Sequence, residues 1–193
     1  NETFRPELIK KLGELGLTGI PVPEAYGGAG LGYQDYVVAI EELASVSCAY
    51  AISVAVTGLP QMILAASGTE EQKKKYIPRM AAGDAIGAFS LSEASSGSDA
   101  GSLRTTAKRS GDHYIVNGTK LWCTQADSAE TILLMARTGE PGPKGVSAFV
   151  LEKGTPGFKL GKREKKMGCH TSHTMEVILE NARIPAANRV GPE

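Results

Sequence analysis

The sequence predicts an α+β protein in two parts, an all-α helical domain over residues 1–84 and an antiparallel β-barrel-like domain over residues 85–193. Three observations predict it. Apolar residues recur at the helical period as far as Gly83. After Asp84 they fall instead into short strand-like runs. Glycine-containing turn signals separate those runs, which favours a barrel or sandwich.

In the first part, Leu8, Leu12 and Leu15 repeat at helical spacing, and Gly16 stands where a C-terminal cap belongs. Val37, Ile40, Leu43 and Ala44 share one face of residues 36–44, with Glu41 and Glu42 on the other. From Leu43 to Thr69 the chain carries no charge, which is long enough to raise a membrane span. Ser45, Ser47, Ser53, Thr57, Gly58, Pro60 and Gln61 interrupt that run, and Pro60 would break one continuous helix. No membrane span is therefore expected, but two buried helices separated near Gly58. Thr69 followed three residues later by Gln72 is a capping-box signature. It opens a helix through Tyr76, Met80 and Ala81 that Gly83 ends.

Strands are expected at 85–91, 103–108, 113–116, 119–124, 131–137, 146–151 and 175–179. Gly111-Asp112 reads as one hairpin turn. Asn117-Gly118 reads as the strongest, a type I′ pair whose residues tolerate positive φ. Residues 139–145 form a plain Pro/Gly loop.

With 193 residues, 41% apolar and 21 basic against 21 acidic, the chain reads as a globular protein able to bury a core. It lacks the net positive charge that nucleic-acid binding draws on. Cys48, Cys123 and Cys169 are widely spaced and odd in number, so no disulfide framework is implied and a reducing compartment is expected. No signal-peptide pattern opens the chain, and Asn1 in place of an initiator Met leaves room for a removed upstream segment.

Two stretches carry candidate chemistry. In Ala88-Phe89-Ser90-Leu91-Ser92-Glu93-Ala94-Ser95-Ser96-Gly97-Ser98-Asp99, a strand runs into a loop dense in hydroxyls and small residues. Such a loop offers backbone N–H groups and hydroxyls to an anionic ligand or a polar ring edge. Alone, it reads equally well as a Ser-rich surface turn. In Asn117-Gly118-Thr119-Lys120-Leu121-Trp122-Cys123-Thr124, the chain's single Trp stands two residues before Thr124, so both project from one side of a strand. A flat aromatic beside a hydroxyl suits a planar heteroaromatic cofactor. Taken singly, a core Trp and a strand Thr are the simpler account.

Together the two stretches resemble the acyl-CoA dehydrogenase family. Its middle domain reads Thr-Glu-Pro-x-Ala-Gly-Ser-Asp and then Asn-Gly-x-Lys-x-Trp-Ile-Thr-Asn, against Ser92 to Asp99 and Asn117 to Gln125 here. Residues 23–30, 68–72 and 166–168 extend the likeness over almost the whole chain. The resemblance implies FAD as cofactor, lined by Phe89, Ser90, Leu91, Ser92, Gly97, Ser98, Trp122, Cys123 and Thr124. Trp122 would pack on the isoalloxazine, Thr124 would hydrogen-bond near N5, and Ser98 would also lie close to the acyl-CoA substrate. It further implies an electron-transfer flavoprotein as acceptor, a homodimer or homotetramer, and a cytoplasmic or mitochondrial-matrix location in bacteria or eukaryotes. The catalytic base is expected beyond residue 193, so no catalytic residue is assigned. Departures are Ser92 for Thr, Ala94 for Pro, Cys123 for Ile, Gln125 for Asn, and His170 where the family has Arg. The rivals are an acyl-CoA oxidase or flavin-dependent monooxygenase on the same scaffold, and a non-catalytic binding module.

Other signals point elsewhere. Gly27-Gly28-Ala29-Gly30-Leu31-Gly32 lacks the order and the Lys of a phosphate loop and reads as a structural turn. Cys169, His170 and His173 are poorly spread for a tetrahedral metal site, and no metal is expected. Residues 162–166 read as a solvated charged stretch, and Glu93 as structural rather than a base.

Overall fold

The computed structural model describes residues 3–192. Helix α1, Pro6–Glu14, starts on a proline, which suits a first helical position because its missing N–H has no partner there. Gly16 follows its end at φ 77°, a left-handed angle that favours glycine. The glycine-rich segment after it folds back on residues 19–22: the N–H of Ala29 donates to Gly19 O at 3.0 Å and that of Gly30 to Val22 O at 2.8 Å. It is a structural turn, as its sequence suggests.

Helix α2, Tyr33–Ser67, runs through Gly58 and Pro60 without the expected break. The interruption lies at Ser47, whose φ −153° and ψ 97° leave the helical region. The Pro60 ring packs closely on β-strand backbone at Gly87, where a Cβ would come within 2.7 Å of both Pro60 Cγ and Met80 Sδ. The two halves of α2 differ. Before the kink, Tyr33, Val37, Val38 and Val46 are exposed, including Val37 from the apolar face expected over residues 36–44. After it, Ala51, Val54, Thr57, Gln61 and Leu64 are buried. The polar residues there meet protein partners, with Thr57 Oγ1 donating to Gly87 O at 3.3 Å and Gln61 Nε2 to Thr18 O at 2.9 Å. The helix is long and apolar enough to cross a membrane, but these bonds make its second half a core helix lying on the sheet. Helix α3, Glu70–Ala81, opens with the expected capping box: Gln72 N donates to Thr69 Oγ1 at 3.3 Å and Thr69 N to Gln72 Oε1 at 3.0 Å.

The second part is one eight-stranded sheet of β1 (Gly87–Ser90), β2 (Thr106–Ser110), β3 (His113–Thr124), β4 (Thr131–Arg137), β5 (Val146–Glu152), β6 (Phe158–Arg163), β7 (Thr174–Pro185) and β8 (Arg189–Val190). Their order is β6-β7-β3-β2-β4-β5-β8, with β1 also paired to β4. The α+β class holds, with two corrections. Among the described residues the ends of the path do not pair, so the sheet is open rather than a closed barrel. It is also mixed, because β1 runs parallel to β4.

Gly111 and Asp112 do form the β2–β3 hairpin, with Ser110 opposite His113. Asn117 and Gly118 do not turn. β3 continues through them as one strand, and its register against β7 shifts there. Gly118 has φ 152°, and a Cβ on it would lie 2.4 Å from Thr105 Oγ1. Asn117 instead pairs across the strands, its Nδ2 donating to Asn181 Oδ1 at 3.2 Å and its Oδ1 accepting from Asn181 N at 2.8 Å. The Asn-Gly pair serves a bulge. Strands β6 and β8 are additional to those expected. β6 takes in part of the charged stretch, and its Lys159 and Lys162 suit an edge strand that must not recruit another chain.

Two apolar clusters fill the interior. One gathers Tyr114, Val116, Leu134, Phe149, Leu151, Val177 and Ile184, the other Leu64, Ile77, Met80, Leu133, Val150 and Val190. Leu133 and Leu134 point to opposite faces of β4, so that strand is buried on both sides and reads as an unbroken apolar run.

Candidate functional site

The two candidate stretches come together at the end of β1. Leu121 N donates to Ser92 O at 2.8 Å, which sets the loop after β1 against the last turns of β3. Leu91, Ser92 and Thr124 are half-buried there, Gly97 and Ser98 are exposed, and Trp122 is 58% exposed. Phe89 is half-buried and packs toward the second core cluster. Ser90 and Cys123 differ from the rest, since both side chains are buried in the interior. The Cys123 thiol donates to Phe89 O at 3.4 Å, and burial pushes its pKa up to about 12. These two residues offer a ligand their main chain only.

Beneath the loop lies a buried ion pair. Glu93 receives Lys120 Nζ at 2.7 Å, Arg104 N at 2.6 Å and Thr105 N at 2.9 Å. Lys120, which is fully buried, also donates to Leu91 O at 2.8 Å. Burial opposes the charge on Glu93, but its hydrogen bonds with Lys120, Thr105 and Arg104 prevail and hold its pKa below the usual carboxylate range. For Lys120 burial wins over the attraction of Glu93, and its pKa falls. Glu93 and Ser96 close the loop on itself, with N–H to carbonyl bonds of 2.7 and 3.2 Å. A carboxylate held by three donors is a structural post, as the sequence suggests.

The backbone around Trp122 is unusual. Trp122 has φ 57° and Gln125 φ 62°, both left-handed conformations that bulky L-residues adopt at a cost. The β3–β7 register shifts between Lys120 and Cys123, so the bulge turns Trp122 outward while Cys123 turns in. Lys120 points inward, and beyond the bulge the alternation is reversed, with Trp122 and Thr124 outward and Cys123 inward. A core tryptophan would be buried; this one is presented at the surface. Gln125 locks the end of the strand, its Nε2 donating to Ser53 Oγ of α2 at 2.7 Å.

Several supporting residues went unread in the sequence. Lys120 could not be recognised, because strand alternation alone puts it on the side of Trp122 and only the bulge between Lys120 and Cys123 turns it inward. Arg137 was not recognisable. It donates to four carbonyls, to Gly101 and Glu140 at 2.6 Å, Leu103 at 3.0 Å and Gly142 at 3.1 Å. It thereby pins the Ala100–Ser102 turn, just after Ser98, to the Pro/Gly loop.

The Cys169, His170 and His173 segment is engaged within the protein. His173 Nδ1 lies 2.5 Å from Asp127 Oδ2, and His170 Nε2 lies 2.8 Å from Lys166 O. An open cleft of about 620 Å³ is lined there by Arg163, Glu164, Lys165, Lys166, His170 and His173.

Comparison with known proteins agrees with this arrangement. The profile described as acyl-CoA dehydrogenase, N-terminal domain, matches residues 1–84, and that of the middle domain matches residues 88–182. An acyl-CoA dehydrogenase of Bacillus subtilis is 47% identical over 194 residues, covering 100% of this chain and 51% of the relative. A chain from the structural study of the electron transferring flavoprotein of Acidaminococcus fermentans superposes with a TM-score of 0.95 at 44% identity, covering 100% of this chain and 51% of that one. A glutaryl-CoA dehydrogenase of Mycobacterium smegmatis, solved with FADH2, gives 0.91 at 36% identity over 97% of this chain and 48% of its own. The chain spans about half the length of the curated relatives it matches. With both profiles matched in order along a helical part and a sheet, the chain belongs to the acyl-CoA dehydrogenase family.

Proposed function

We propose that this chain is the N-terminal and middle part, divided at residues 84/85, of an FAD-dependent acyl-CoA dehydrogenase that desaturates an acyl-CoA thioester between its α and β carbons. The observation that carries the reading is Trp122, a large aromatic held outward on a left-handed backbone beside Ser92 and Thr124. Strain of this kind persists where a site requires it. The residues fit a flavin: an exposed flat ring, a half-buried hydroxyl two positions on, and a loop of small residues where a Cβ on Gly97 would meet nothing within 4 Å.

When bound, FAD would supply the hydride acceptor. Around it this chain would hold position. Phe89, Ser90, Leu91, Ser92, Gly97, Ser98, Trp122, Cys123 and Thr124 would line the cofactor. Trp122 would cover the ring, the Thr124 hydroxyl would donate near N5, and Ser98, exposed on the loop, would face both cofactor and acyl-CoA. The Glu93–Lys120 pair would keep that loop in place. An electron-transfer flavoprotein as acceptor and a homo-oligomeric enzyme complete the reading, and the Bacillus relative favours a bacterial cytoplasm.

The test is Thr124→Val in the full-length enzyme, with anaerobic stopped-flow measurement of flavin reduction by acyl-CoA. Loss of one hydrogen bond worth about 0.5–1.5 kcal/mol should slow reduction roughly two- to tenfold. An unchanged rate and flavin spectrum would remove Thr124 from the site. Rapid reoxidation of the reduced flavin by O₂ would move the reading to an oxidase.

A further inference from the structure

Thr124 is the last residue of β3 and stands opposite Thr174 of β7. The chain leaves the strand at Gln125, whose φ of 62° is left-handed. The main chain of Gln125 is fully engaged. Its N–H donates to His173 O at 2.8 Å, and its carbonyl accepts from Ser128 N at 3.0 Å and Ala129 N at 2.8 Å. Its side chain crosses to the helical part, where Nε2 donates to Ser53 Oγ at 2.7 Å. The Ser53 hydroxyl gives its own proton to Ala49 O at 2.9 Å, so toward Gln125 it can only accept. That decides which end of the amide faces it. The other end, Oε1, is enclosed with no partner. Ser53 and Gln125 are 1% and 0% exposed.

An amide oxygen left unpaired in the interior carries a cost that an apolar side chain of the same length would avoid. The left-handed backbone adds a second cost at the same residue. Both are explained by what Nε2 does, which is to tie the residue after Thr124 to α2. We propose that Gln125 and Ser53 are positioning residues for flavin reduction, holding Thr124 so that its hydroxyl meets the cofactor in the productive direction. The inference rests on the FAD reading of Thr124 given above. β7 fixes the end of β3 within the sheet through His173, and Asp127, two residues on, meets His173 Nδ1 at 2.5 Å. Ser53 fixes it in depth, against the helix. A displacement of about 1 Å is enough to take a hydrogen bond out of range, so a strand end free to shift would misplace the Thr124 hydroxyl. Gln125 and Ser53 are sealed in the interior and act through Thr124.

The test is anaerobic flavin reduction in the full-length enzyme for Ser53→Ala, Gln125→Met and the double variant. Acyl-CoAs of several lengths are tried, and the fastest is used at saturation. Alanine suits a helix interior, so Ser53→Ala carries the test even where Gln125→Met fails to fold. Each single variant should slow reduction roughly two- to tenfold, and the double variant should slow it no further. The flavin absorbance band should change with the rate, while the acyl-CoA dissociation constant stays that of the parent. Gln61→Met is the control, because Gln61 is an equally buried amide of α2 that donates to Thr18 O and also leaves its Oε1 unpartnered. It should lower the melting temperature and leave rate and spectrum unchanged. Ser53→Ala with the parent's rate and spectrum would overturn the proposal, as would Gln61→Met slowing reduction equally. Thr124→Val separates the two readings. If it slows reduction and Ser53→Ala does not, the positioning role alone fails. If it is silent as well, the flavin contact of Thr124 fails and the positioning role falls with it.

Discussion

Glu93 and Lys120 meet at 2.7 Å in the interior, with Lys120 also capping the carbonyl of Leu91. One ion pair therefore fixes both the exit of β1 and the height of β3 beneath it. The loop that carries Ser92 and the strand that carries Trp122 share a single support. Replacing Lys120 by Met leaves a buried carboxylate with only two amide donors, a change that typically costs about 3–5 kcal/mol. Urea unfolding followed by circular dichroism should register it, and the double variant Glu93→Gln/Lys120→Met should recover part of the loss. A Lys120→Met midpoint equal to the parent's would mean that the pair carries no structural load.

The same pair sets an acid limit. Glu93 has a native pKa below its unfolded value, so across the window between the two the unfolded chain binds more protons and stability rises with pH. The contribution is whole above the unfolded pKa, about 4.3, and is lost as pH falls through the native one. Glu93→Gln should flatten stability against pH over that acid window relative to the parent. Parallel curves for the two proteins would contradict this assignment.

Trp122 separates a presented aromatic from a packed one. A large core aromatic truncated to a small residue costs about 3–5 kcal/mol. Because Trp122 is exposed and left-handed, Trp122→Gly removes strain and little buried surface, so stability should stay within about 1 kcal/mol of the parent. FAD affinity, measured by calorimetry on the full-length enzyme, should fall at the same time. A large loss of stability would return this residue to the core.

No base for α-proton abstraction is assigned among these residues, and Glu93 is committed to three donors. The 193-residue chain loaded with FAD should therefore show no bleaching on anaerobic mixing with acyl-CoAs of several lengths. Bleaching at about 1 per second or faster, a rate typical of enzymes, would place the base within it.

Patterns that depend on neighbours in sequence were legible. The Thr69–Gln72 capping box, the cap at Gly16 and the Gly111–Asp112 hairpin are local, and local chemistry decides them. The Asn117–Gly118 pair was misleading for a physical reason. A positive φ at glycine serves a bulge as well as a turn, and only the approach of Thr105 and Asn181 selects the bulge. Likewise Pro60 argued for a break in α2, but the helix continues through it and the interruption lies at Ser47. At the site, the juxtaposition of Ser92 with Trp122 was implied by resemblance alone, since the bond from Leu121 N to Ser92 O joins segments far apart in sequence. Arg137 stayed invisible because its four partners are all carbonyls, which leave no trace in residue identity.

The outward Trp122 is also the chain's single indole. Its emission in the folded protein already comes from a largely hydrated ring, so melting the core would change that light very little. A planar chromophore settling on the same ring would quench it strongly. The fluorescence of this protein is thus nearly blind to folding and tuned to occupancy of the surface beside Ser92.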